Sequence, residues 1–220
     1  MSHPKENNWV HVWSIYRFSS EIVFEVIKPP NTPVLFPVLF VSITASLILC
    51  VILPILYPII GVSAIDDSDI PAQFIEFNVT SILPHFLLFF TMPFIIGVFL
   101  VLLGTYFFII GRLFRIENIL WEHWLGFAGW INIPMVLMFF GSSLLSAWGH
   151  TANPSRIFFF AVLVIFVILP IVWAVVLCVQ GLKSWSDKGT SFCVRISLIP
   201  YFIFAVMTTP ELILVGSLAW

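Results

Sequence analysis

Charge is what this sequence has least of. Only 9% of its 220 residues are Asp, Glu, Lys or Arg, against roughly a quarter in soluble domains. With 60% hydrophobic residues and a mean hydropathy of +1.10, a water-soluble fold is excluded. The chain cannot hide that much apolar surface in its own core, so its solvent is lipid. A net charge of −2 excludes a nucleic-acid footprint. The three cysteines (Cys50, Cys178, Cys193) lack metal-ligand spacing and read as buried small side chains, not a disulfide framework. No HExxH, G-x-S-x-G, phosphate-binding loop or dinucleotide fingerprint is present. No cofactor or metal is therefore expected. About thirty residues precede the first oily run, too many for a signal-peptide start.

What is there is long and apolar. Roughly 20 apolar residues cross a bilayer as a helix. Five runs qualify, at about 33–61, 82–111, 124–147, 157–181 and 192–217. None alternates polar with apolar as a barrel strand does, and helices satisfy their own backbone groups in hydrocarbon. The expected fold is all-α: an integral membrane bundle of five transmembrane helices over 33–220. The first two runs approach thirty residues and overshoot a ~30 Å core, so tilts or kinks are expected. Prolines 54, 58, 84, 93, 134, 170, 200 and 210 lie inside the runs.

Basic residues set the orientation. Eight of the nine (Lys5, Arg17, Lys28, Arg112, Arg115, Lys183, Lys188, Arg195) fall on one side, and only Arg156 falls on the other. The N-terminus is therefore expected in the cytoplasm and the C-terminus outside. On this topology "GRLFRIENILWEHWLG" (111–126) is a short cytoplasmic turn, with Trp121 and Trp124 in the aromatic belt. Residues 1–32 form a cytoplasmic N-terminal segment. Within it Trp9, Trp13, Tyr16, Val23 and Ile27 recur at helical spacing, which predicts an amphipathic helix on the inner leaflet. "KPPNTP" (28–33) ends it.

Three stretches carry a resemblance: "FEVIKPPNTPVLFPVLF" (24–40), "WEHWLGFAGWINIPMVL" (121–137) and "WAVVLCVQGLKSWSDKGTSFCVRISLIP" (173–200). With them the chain resembles the Yip family of Ypt/Rab-interacting membrane proteins, in its prokaryotic form, over most of 24–215. The "DLYGP"-like signature of eukaryotic members is missing, so a Rab-binding role is not carried over. The resemblance implies a five-span domain in a bacterial cytoplasmic (inner) membrane, with no established reaction and no active site.

A few residues stand out from the oil. Gly97, Gly104 and Gly111 recur at sevens, which keeps them within about 40° on a helix and leaves a smooth stripe for close packing. That stripe suits a neighbour in the same bundle, and equally a second copy of the chain. Asn132 sits inside the third run, where a buried amide needs a hydrogen-bonding partner. His85 lies at the outer end of the second run. Glu211 follows Arg195 by sixteen residues, about 24 Å of helix, which places it at the outer interface; the rival reading buries it near His85 as an ion site. The expected function is non-enzymatic organisation of lipids or membrane-protein partners. A subunit of an oligomeric transporter or channel is the alternative, and an intramembrane enzyme using outer-face His and carboxylates is the third.

Overall fold

The fold was taken from a computed structural model, which describes residues 8–17, 20–52, 82–116, 119–149 and 156–218. Among these the secondary structure is entirely helical. Two short helices open the chain, α1 (Asn8–Tyr16) and α2 (Ser20–Val26). Then come α3 (Leu35–Leu47), α4 (Ile82–Leu113), α5 (Trp121–Ile131), α6 (Val136–Gly149), α7 (Arg156–Val162), α8 (Leu169–Ser186) and α9 (Thr190–Leu218).

Among the described residues three rods are long and apolar enough to cross a membrane: Leu35–Ile52, Leu87–Leu113 and Arg156–Ser186. A fourth is the pair Trp121–Ile131 and Ile133–Leu145 if its 45° bend is counted within one span. The apolar stretch Thr190–Phe204 belongs to α9 and is shorter.

Proline shapes the rods unevenly. A proline removes one donor and crowds the carbonyl four residues back. Pro170 does this to Phe166, and residues Leu163–Ile168 widen into a π turn. A second π turn, Ile48–Ile52, closes α3 and contains Cys50, four residues before Pro54. α4 continues through Pro93, and α9 through Pro200 and Pro210. Neighbouring helices make up the lost bonds in such places.

α5 lies at the centre. Every residue from Gly126 to Ile131 is buried on it. α4, α3 and α8 pack around it, and α2 lies along α8. This corrects the turn reading at one residue. Trp121 is part-exposed and donates its Nε1–H to Thr105 Oγ1 (3.1 Å), but Trp124 is 1% exposed and stacks on Phe107. The helix starts at Trp121, so three residues later the chain has turned inward.

The N-terminal segment also differs from one amphipathic helix. It breaks after Tyr16 into α1 and α2, and its buried face is His11, Val12, Ile15, Val23, Phe24 and Ile27. Trp9 and Trp13 face out, 53% and 64% exposed. Within a bundle bathed in lipid, the largest aromatics need not turn inward.

Candidate functional site at the helix break

The junction between α5 and α6 is the main polar feature of the bundle interior. Pro134 cannot donate, and it biases Ile133 away from the α region. The chain responds with a 3-10 turn, Ile133–Met135, entered through Asn132 at φ −94°, ψ 3°. The Asn132 backbone N–H then reaches Gly129 O (3.2 Å), three residues back. The Asn132 side chain reaches four back instead: its Nδ2 donates to Ala128 O at 2.7 Å. The amide thus splices the helix where the main chain has let go. Its Oδ1 accepts from Tyr201 Oη of α9 at 3.5 Å. Asn132 and Tyr201 are 1% and 3% exposed.

Three further contacts tie other elements to this break. Tyr16 Oη of α1 donates to Ile133 O (3.2 Å). Trp130 Nε1 donates to Pro33 O (3.2 Å), and His11 sets its ring edge-on to Trp130. The break therefore joins α1, the entry to α3, and α9.

One helical stretch back toward the start of α5 lies an aromatic layer. Phe127 packs against Phe24, Phe107, Trp124 and Trp185. Gly181 of α8 admits it, since a Cβ there would collide with the Phe127 ring. Trp185 Nε1 donates to Phe24 O (3.1 Å), fastening α2 to α8. Trp185→Phe keeps an aromatic ring but loses the indole N–H and some packing volume, and is expected to cost about 1–3 kcal/mol. The readout is faster proteolytic clipping between α2 and α3 at unchanged folding yield.

The glycine stripe divides. A Cβ on Gly104 would lie 2.9 Å from Leu125 Cα, and one on Gly111 would lie 3.1 Å from the Trp124 ring. α5 occupies both places. Gly97 has nothing within 4 Å. Asn132 is seven residues beyond Leu125 on α5, so stripe and break are neighbours on one helix and not one site. His85 and Glu211 lie on α4 and α9, with side chains outside the described residues. Among the described residues no three His, Cys, Asp or Glu side chains group to hold a metal.

Sequence reading missed Tyr201 and Ser197, whereas Cys193 is buried as expected. All three are buried on α9 at intervals of four, and that spacing was the available signal. Tyr16 left no such signal, because its partner is a backbone carbonyl 117 residues away.

The family model described as Yip1 domain matches residues 13–209, from α1 to deep in α9. No curated protein and no solved structure matches the chain.

Proposed function

The chain belongs to the Yip1 domain family, and from that premise we propose a five-span membrane protein that organises lipids or protein partners without catalysing a reaction. Its N-terminus is on the cytoplasmic side of a bacterial inner membrane and its C-terminus is outside. The rods 35–52, 82–113, 121–149, 156–186 and 190–218 support the count, with the bent pair taken as the third span. The orientation rests on the basic residues.

One observation carries the functional reading: the polar junction is closed. Both ends of the Asn132 amide bond within the chain, as in a structural lock. Gentle purification followed by mass spectrometry tests the reading. A defined lipid or protein is expected to co-purify in fixed ratio, and a chain that carries neither refutes the proposal.

The transporter reading keeps one observation of its own, the broken helix, since transporters build sites at discontinuous helices. Solute flux in liposomes that disappears in Asn132→Leu would favour it.

Topology has its own check. The three native cysteines are buried, so an introduced thiol will dominate labelling. Gly189 is exposed, with open space around it. Gly189→Cys is expected to react only with reagents that enter the cytoplasm, and Ser68→Cys from outside. Labelling of position 189 in intact cells by an impermeant reagent would invert the topology.

A further inference from the structure

α1 lies deep, by two independent measures. On α5, its partner Trp130 is nine residues beyond Trp121, about 14 Å along the axis. On α8, its partner Trp173 stands ten residues before Lys183, about 15 Å. Lys183, Arg112 and Glu122 mark the charged end of the bundle, and α1 sits about half a bilayer core inward from it. α2 climbs back: Tyr16 contacts Trp173, while Phe24 packs at Gly181, near the charged end.

The surface at that depth is oil on every side. Leu102 and Ile109 are exposed on α4, Val172 and Val176 on α8, Leu198 and Phe202 on α9. On the membrane reading, lipid clads these ends up to the charges, and the aqueous boundary does not dip to meet α1. The outer face of α1 continues the same surface. Trp9 stands edge-on to Phe36 and Phe40 of α3, whose Leu35, Leu39 and Ile43 are exposed beside it.

We propose that residues 8–27 form a re-entrant elbow inserted into one leaflet, the leaflet at the charged end, with Trp9, Val10 and Trp13 docked against lipid acyl chains. This rests on the membrane reading above. The elbow runs at that depth as α1 and returns to the charged end as α2, with Arg17 between them. A long guanidinium stem can snorkel along α2 to the headgroups, and Glu21 and Glu25 lie further up the same climb. α1 occupies one leaflet only, and it is bonded through Tyr16 to the break in α5–α6. Lipid packing in that leaflet therefore bears directly on the junction.

Spin labels test this in the full chain, in nanodiscs of phosphatidylethanolamine and phosphatidylglycerol. Trp13→Cys and Val10→Cys are labelled with the native cysteines replaced, and Leu102→Cys on α4 serves as reference. Collisions with oxygen are compared with those of a water-soluble nickel chelate. Oxygen is expected to dominate at 10, 13 and 102. Nickel dominating at 10 and 13, with oxygen at 102, would overturn the elbow and leave the membrane bundle standing. Nickel at all three would overturn both. Shielding from both reagents at 10 and 13 would mean that protein, not lipid, covers α1, and would also refute the proposal. If Trp13→Cys fails to fold, the label at Val10, a position 53% exposed, decides between these outcomes.

Discussion

Gly104→Leu is expected to lose most of its folded yield, while Gly97→Leu, one heptad away on the same face, purifies like its parent. The difference lies in what each new side chain meets. At Gly104 even a Cβ arrives 2.9 Å from the Leu125 Cα and 3.3 Å from the Trp124 carbonyl oxygen. These are backbone atoms, which cannot rotate aside, so α4 and α5 must separate. Overpacking costs about 1–3 kcal/mol even where side chains can yield, and here they cannot. The separation also loosens Phe107 and Trp124, which stack across the same interface. At Gly97 a Cβ meets nothing within 4 Å, and the added leucine points into open space. Thermal unfolding followed by size-exclusion in detergent reads both. Equal melting of Gly104→Leu and parent would mean that the two helices do not touch there. A change of oligomer in Gly97→Leu alone would assign that position to a contact between copies.

This pair also marks how far the sequence was legible. The heptad spacing puts three glycines on one face of a helix, because helix geometry alone fixes that. Which neighbour fills the face depends on where α5 crosses α4, and two different helices with the same stripe look alike in sequence. The helical rods were legible for the same reason: hydrocarbon demands about twenty apolar residues and internal hydrogen bonds. The direction each residue faces was less so. Helical spacing is why Trp9, Trp13 and Tyr16 read, with Val23 and Ile27, as the apolar face of one helix on the inner leaflet. In this chain both sides of α1 are apolar, and hydrophobicity no longer separates inside from outside. Small and polar residues carry that information instead. His11, Asn132, Ser197 and Tyr201 are all buried, and Gly126, Gly129 and Gly181 each face a close neighbour. Of these, only Asn132 drew notice, because a lone amide in an oily run is conspicuous and a serine or glycine is not.

Asn132→Leu tests what that amide is for. Leucine has nearly the same shape, so packing is conserved and only the polar atoms are lost. Two groups then stand unpaired in the interior: Ala128 O, which the Nδ2 satisfied at 2.7 Å, and Tyr201 Oη, which bonded to Oδ1. Leaving a buried group unsatisfied costs about 1–3 kcal/mol, and no water of the bilayer core relieves it. The carbonyl is the costlier of the two, because the Asn132 backbone N–H has gone to Gly129 O and leaves Ala128 O to the side-chain Nδ2. Tyr201→Phe alone is expected to cost less, since its 3.5 Å bond is long. The double variant is informative because it removes the orphaned hydroxyl. It should be less destabilised than the sum of the singles, leaving mainly the Ala128 carbonyl term. Thermal unfolding of the four proteins in one detergent gives the cycle. Strict additivity would mean that Asn132 and Tyr201 do not communicate. An unchanged Asn132→Leu would show that the break holds itself together through Tyr16 and Trp130. In that case the amide is free for another task, and the broken helix regains weight as the lining of a transport path.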